Sequence, residues 1–338
     1  MRTEAEWVRL LGRRFPAGGA VRVGIGDDAA VVAGARGRDW VFTTDLMIEN
    51  IHFRRRWQPP QAVGWKALAR SLSDVAAMGA QPRYALVALA VPPGTPAGWI
   101  KNFFAGLEAL ARRHRVRVIG GDLSAAAHVT IDVQAFGEVE GGRAVRRRGA
   151  RPGDALFVSG TLGRAQLGLA CLRQRVASGR PRLQRAVRAH FYPEPRVRLA
   201  RALARRRVLT AMIDLSDGLS TDLHHLCEAS GVGARVLAAS LPTVRLPEPL
   251  ARRFRTTPLA LALHGGEDYE LLFTVPARLA ARLPARLYGV RLTCIGEITK
   301  GRGVSLVEAD RRGRRRGRPL QPLGWDHFRR EPRRKRHN

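Results

Sequence analysis

Apolar positions along the chain fall into two rhythms. Glu4 to Phe15 sets Trp7, Val8, Leu10 and Leu11 at helical spacing and predicts a short amphipathic helix. Val21 to Ile25, Ala29 to Ala33 and Trp40 to Thr44 are short strand-like runs joined by glycine turns. Pro59-Pro60 opens a long helix, Gln61 to Gly79. Ala67, Ser71, Asp74 and Met78 share one of its faces. Small residues beside a single Asp predict a face packed on a sheet with one carboxylate at its rim. Arg83 to Val91 reads as a buried strand and Trp99 to Arg115 as a helix. Val116 to Ile119 is a strand running into Gly120-Gly121-Asp122, and His128 to Val139 alternates as another strand. The order predicts an α/β or α+β domain ending near Gly149.

Ala150-Arg151-Pro152-Gly153-Asp154 is rich in turn formers and marks a boundary. Beyond it come a strand at Ala155 to Ser159 and a helix from Arg164 to Val176. A very basic helical stretch from Gln174 to Arg207 is broken at Tyr192-Pro193-Glu194-Pro195. Ala211 to Leu215 is a strand leading into Ser216-Asp217-Gly218 and a helix through Ser230. Strands follow at Tyr269 to Val275, Thr293 to Ile298 and Val304 to Val307. From Arg311 the chain is Arg-rich and poor in apolar residues, with an aromatic cluster at Trp325 and Phe328. The pattern divides the chain into domains at 1–149 and 150–328, with a basic tail at 329–338.

Composition changes this picture at three points. The 338 residues suffice for two domains with real cores, and 45% hydrophobic residues exclude a disordered chain. A net charge of +31 points to an anionic partner, whether nucleic acid, membrane surface or phosphorylated substrate, or else to Arg spread over solvated faces. Cys171, Cys227 and Cys294 are sparse and odd in number, which argues for a reducing compartment. The N-terminal residues lack a signal-peptide core, and no apolar run nears the ~20 residues of a membrane span. A cytoplasmic protein is expected.

Against that positive balance, the acids concentrate. Asp27 and Asp28 stand in a glycine turn, and Thr43-Thr44-Asp45 follows a strand-like run. Gly121-Asp122 and Asp214 with Asp217 also follow strand-like runs, whereas Asp74 arrives from a helix. Each alone could be a turn or a helix cap. Together they predict acids at the carboxyl edge of a sheet, where open α/β proteins bind ligands. Carboxylates without Cys or a His pair favour oxygen-liganded Mg²⁺, with phosphates as remaining ligands. Gly24-Ile25-Gly26-Asp27-Asp28-Ala29 fits a dinucleotide fingerprint, but its acids would repel a pyrophosphate. No Walker A sequence is present, so any nucleotide phosphate must be held by metal, glycine-loop amides and Arg.

The segments GIGDDAAVV, TTDLMIENIHF, ALARSLSDVAAMGAQP, IGGD, GDALFVSGTLG, IDLSDGLSTDL, GGEDYELLFTV and GWDHF together resemble the thiamine-monophosphate kinase family. That family lies in the superfamily related to aminoimidazole ribonucleotide synthetase. The resemblance runs from Gly24 to Phe328. It implies a two-domain PurM-like fold, its N-terminal sheet forming a barrel across a dimer axis and its C-terminal α/β domain holding a mixed sheet. It implies Mg²⁺-dependent phosphorylation of thiamine monophosphate by ATP; since the acceptor phosphate is itself an oxygen nucleophile, direct transfer without a phosphoenzyme is expected. By motif position Asp28, Thr43, Thr44, Asp45, Asp74, Asp122 and Asp214 are implied metal ligands, with Asp217 a further one. Gly121, Asp122, Arg147 and Ser216 are implied ATP contacts, and His52, Glu267 and Trp325 implied thiamine-side contacts. Many relatives follow GGD with Thr and a nearby Arg; Leu123-Ser124-Ala125-Ala126 departs from that and puts the loop's phosphate contact in question, leaving Arg147 or a neighbour to compensate. A homodimer is expected, the apolar strand Arg83 to Val91 being a sticky edge if left alone. The alternatives are another ATP-using enzyme of the superfamily and, in a different class, a basic nucleic-acid-binding protein. A selenophosphate synthetase would need a reactive Cys or selenocysteine and a Lys near the N-terminus, and a hydrogenase-maturation relative a C-terminal Cys. Low aromatic content and the acid cluster speak against the nucleic-acid reading.

Overall fold

A computed structural model describes residues 3–176, 180–309 and 314–328. The basic tail at 329–338 lies outside them. The first half runs α1 (Glu4–Arg14), β1 (Val21–Val23), β2 (Ala30–Ala33), β3 (Arg38–Ile48), α2 (Pro60–Ala77), β4 (Gln81–Val91), α3 (Ala97–His114), β5 (Arg117–Ala125) and β6 (Thr130–Glu140). The second half runs β7 (Asp154–Ser159), α4 (Arg164–Arg173), α5 (Pro181–Phe191), α6 (Val197–Arg205), β8 (Ala211–Asp214), α7 (Leu219–Ser230) and β9 (Gly233–Leu237). It continues through α8 (Glu248–Phe254), α9 (Pro258–His264), β10 (Leu271–Pro276), α10 (Ala277–Ala280), β11 (Arg286–Leu287), β12 (Val290–Thr299), β13 (Gly303–Ala309) and β14 (Arg315–Pro319).

The first sheet has the order β1-β2-β3-β6-β4-β5, and the second β14-β13-β9-β12-β7-β10-β8 with β11 on β12. Both are mixed: β4 and β5 pair in parallel in the first, β9 and β13 in the second, the other neighbours antiparallel. α2 and α3 pack together and cover one face of the first sheet. Gly64 and Gly106 let them approach, since a Cβ on Gly64 would stand 1.9 Å from the Phe103 carbonyl and one on Gly106 1.8 Å from that of Gln61. α2 is buried nearly throughout and also touches α6 and β8, so one core runs from Val41, Leu68 and Val133 to Leu199 and Phe273 of the second half. A second core, around Leu156, Ile213, Leu223 and Ile295, lies between the second sheet and α7.

The structure corrects several expectations. β3 pairs with β6 without a break to Ile48, so Thr43, Thr44 and Asp45 sit inside a strand rather than at its end. β5 likewise runs on through Gly120, Gly121 and Asp122. Glycine reads as a turn in sequence, yet here it permits pairing: a Cβ on Gly121 would stand 1.8 Å from the Val87 carbonyl. The strand from Arg83 to Val91 is no edge, because β6 and β5 flank it; the edge on that side is β5, exposed along its whole length. The segment after 313 forms β14, an Arg-rich edge strand tied to β13 by Arg318 and Glu308 at 2.7 Å.

Candidate active site

α2 organises the site. Lys66, Arg70, Ser73 and Asp74 follow one another at helical spacing, and between them they reach β3, β8 and the loop before β10. Lys66 Nζ stands 2.5 Å from Glu267 Oε1. Arg70 Nη2 donates to Asp45 Oδ1 at 3.1 Å on β3. Ser73 Oγ donates to Asp214 Oδ2 at 2.6 Å at the end of β8. Asp74 Oδ2 accepts from Thr43 Oγ1 at 2.6 Å. Across from them Arg147 grips Asp28 Oδ1 through Nη2 at 2.6 Å and Nε at 3.1 Å. Its backbone amide donates to Asp27 Oδ1 at 3.1 Å.

Asp28, Asp45, Asp74, Asp214 and Asp217 are close enough to feel one another's charge. Burial pushes Asp28 up to about 7 against the pull of Arg147. Burial raises Asp214 to about 6 and Asp217 to about 7, with neighbouring acids adding to both. Asp74 is raised well above the usual carboxylate range, by burial first and then by Asp45, Asp214 and Asp28. Oδ2 of Asp28 and Oδ2 of Asp45 are buried with no hydrogen-bond partner. Among the described residues no three His, Cys, Asp or Glu side chains close on a single ion position. The donors are all oxygen, they crowd, and some lack partners; that set fits a hard divalent cation whose shell is completed by other oxygens.

The remaining expected ligands lie apart. Asp122 pairs in register with Ala88, which pairs with Asp132, and Thr44 Oγ1 donates to Asp132 Oδ1 at 2.5 Å. Side chains alternate along a strand, so Thr44 and Asp122 share the sheet face opposite Thr43 and Asp45. Asp122 stands roughly three strand spacings, ~14 Å, from β3. Gly121 and Asp122 are therefore not brought to the cluster within one chain, whereas Arg147 and Ser216 are. Ser216 lies in the loop after β8, where its carbonyl accepts from the Glu267 amide at 2.7 Å.

The three expected thiamine-side residues converge. His52 Nδ1 accepts from the Ile48 amide at 2.9 Å, which leaves the proton on Nε2, a buried atom without a partner. Burial, with Arg70 nearby, lowers His52 to about 3, so the ring is neutral. His327 lies against His52 at 5.0 Å and against Trp325 at 5.5 Å. The Trp325 amide donates to the Asp217 carbonyl at 3.0 Å, and the Gly324 amide to Thr221 Oγ1 at 3.0 Å, which pins this closing segment on the start of α7. Glu267 sits in the left-handed region at φ 67°. Burial would raise it, but Lys66 and His190 beside it hold it below the usual carboxylate range.

Lys66, Arg70, Ser73, His190 and His327 were not singled out by sequence reasoning. A usable signal existed for the first two: Lys66, Arg70 and Asp74 are charges spaced four apart in an otherwise apolar helix.

Residues 26–139 match the family described as AIR synthase related protein, N-terminal domain, and residues 151–308 its C-terminal domain. The chain is 38% identical over 317 residues to the thiamine-monophosphate kinase of Escherichia coli strain K12, covering 91% of this chain and 92% of that one. It is 34% identical over 304 residues to that of Aquifex aeolicus, covering 90% and 92%. The solved structure of AaThiL complexed with AMPPCP and TMP superimposes with a TM-score of 0.84 at 33% identity, covering 97% of this chain and 99% of that one.

Proposed function

The chain belongs to the thiamine-monophosphate kinase family, and from that membership we propose the function its site supports best: ATP-dependent phosphorylation of thiamine monophosphate to thiamine diphosphate. The observation that carries it is the meeting of Asp28, Asp45, Asp74, Asp214 and Asp217 from both halves of the chain, beside Trp325, His52 and Glu267. An acid cluster suits a reaction between two anions only if cations stand between them. Asp28, Thr43, Asp45, Asp74, Asp214 and Asp217 are the residues that would hold Mg²⁺ within one chain, with Asp122 reaching it only from a second copy and Thr44 turned to the other sheet face; the ion when bound offsets phosphate repulsion and stabilises charge in the transition state.

A phosphate oxygen of thiamine monophosphate attacks the γ-phosphorus of ATP. One P–O bond forms, the bond to the β-phosphate oxygen breaks, and ADP leaves. The attacking oxygen is already ionised at neutral pH, so no general base is required, in keeping with a site that holds its His52 neutral. His52 Nε2–H offers a hydrogen bond to the acceptor, the Glu267 carboxylate faces its cationic part, and Trp325 lies against its rings. Arg147 and the Ser216 loop face the nucleotide.

The enzyme works as a homodimer built on the first sheet. β5 is exposed along its length, with Ile119 58% and Leu123 69% exposed, and a hollow of about 780 Å³ lined by Phe104, Leu107, Val118 and Ile119 lies beside it. A second copy meeting this edge would bring Gly121 and Asp122 to a site they do not reach within their own chain. The domains meet at residues 149 and 150. The test is a phosphorylation assay with ATP, Mg²⁺ and a panel of thiamine compounds. Thiamine monophosphate should be the acceptor; turnover of free thiamine alone would overturn the reading.

A further inference from the structure

Lys66 is among the largest completely buried side chains of the described residues, and it carries a cationic amine. A buried amine persists as a cation only if paired. Its nitrogen has Glu267 Oε1 at 2.5 Å and the His52 carbonyl at 3.5 Å. Both residues belong to the thiamine side of the site. The second Glu267 oxygen lies 3.1 Å from His190 Nδ1, close but without the alignment of a full hydrogen bond. Lys66 is 0% exposed and His190 4%, whereas the Glu267 side chain is 23% exposed. The Glu267 side chain thus keeps one open edge while both its partners are sealed behind it. An ion pair serving only to join helix to loop has no need of that edge, and apolar residues often replace such a pair without loss.

We propose that Lys66 and His190 are positioning residues for the acceptor: they fix Glu267 in one orientation, as a carboxylate, with its open edge toward the acceptor's cationic ring system. Lys66 also ties that carboxylate to the turn carrying His52, so two acceptor contacts move as one. The inference rests on thiamine monophosphate being the acceptor. Its thiazolium ring is positively charged and its aminopyrimidine donates hydrogen bonds, and a fixed carboxylate edge suits both. Without Lys66, burial would favour the neutral acid, which attracts no cation.

The test is two-substrate steady-state kinetics on Lys66→Met, His190→Leu and His190→Asn. Lys66→Met should raise the KM for thiamine monophosphate by about tenfold or more and leave the KM for ATP within about twofold. His190→Leu should raise the same KM by a smaller factor. His190→Asn, whose amide can occupy the place of Nδ1, should restore it. The two His190 variants keep the Lys66–Glu267 pair, so they carry the test even if Lys66→Met does not fold. Equal rises in both KM values, or a lowered melting temperature with the acceptor KM unchanged, would mean a structural bond only and overturn the inference. Failure of the unaltered enzyme to phosphorylate thiamine monophosphate would instead overturn the function, and this inference with it.

Discussion

At the scale of single residues, the orphaned Oδ2 atoms of Asp28 and Asp45 define what the cluster lacks. Asp45→Asn and Asp74→Asn should each lower kcat/KM by more than about 100-fold, beyond the usual loss from an outer-shell partner alone. Circular dichroism should show both still folded; near-normal turnover at low Mg²⁺ would refute the ligand assignment. The same acids set a pH dependence. Asp28, Asp214 and Asp217 are raised to about 7, 6 and 7 from 3.8. Stability tied to their protonated forms is fully present below the unfolded value and is lost as pH rises through 6 to 7. The melting temperature of metal-free protein should therefore fall between about pH 5 and pH 8. Mg²⁺ with an ATP analogue should remove that slope, since a bound cation favours the ionised acids. A flat profile without metal would contradict the burial argument. The acids were legible in the sequence because they stand out from a chain of charge +31. Their cationic partners were less so: the spacing of Lys66, Arg70 and Asp74 hints at a shared face, but among so many Arg and Lys residues the burial of Lys66 shows only in the fold.

At the scale of elements, α2 does most of the positioning, and its place depends on contact with α3 through Gly64 and Gly106. Gly64→Ala would press a methyl group onto the Phe103 carbonyl, where the ideal position lies 1.9 Å away. It should destabilise the protein by at least about 1–3 kcal/mol, the range for overpacked cores. Thermal unfolding measures this, and an unchanged melting temperature would show that the helices separate freely. Turnover should fall as well, because a shift of α2 displaces Asp74, Ser73, Arg70 and Lys66 together. α2 itself was legible from Pro59-Pro60 and the small, apolar residues behind them. β5 and β14 were misread or missed for opposite reasons. Gly120 and Gly121 read as a turn, yet they let β5 lie close on β4. β14 shows no apolar alternation, because an edge strand needs backbone pairing and not a buried face.

At the scale of the whole molecule, Asp45 and Asp122 lie on opposite faces of one sheet. If a partner supplies Asp122, mixing two inactive variants should restore activity. Asp45→Asn combined in equal amounts with Asp122→Asn, after dissociation and reassociation, should recover about a quarter of normal activity. Half of the dimers are then mixed, and each mixed dimer has one intact site. No recovery despite proven exchange would place the whole site in a single chain. The basic tail lies beyond the last resemblance to the family. Truncation after Phe328 should leave kcat/KM within about twofold, because the contacts of Trp325 and His327 remain. The two-part layout was legible from Pro152-Gly153. The shared core between the halves was not, since nothing in a helical repeat says that α2 is buried on more than one side.

The closing segment from Gly324 to His327 has a consequence for how the enzyme comes into being. The acids of the cluster end at residue 217, but the wall that carries Trp325 is laid down more than a hundred positions later. A ribosome making this chain finishes the charged floor of the site long before its aromatic wall. A chain stopped just short of Gly324 keeps the acids, His52 and Glu267 but lacks Trp325 and His327, so the vitamin's rings have no wall to lie against. A product ending just before Gly324 should therefore still bind nucleotide without using it.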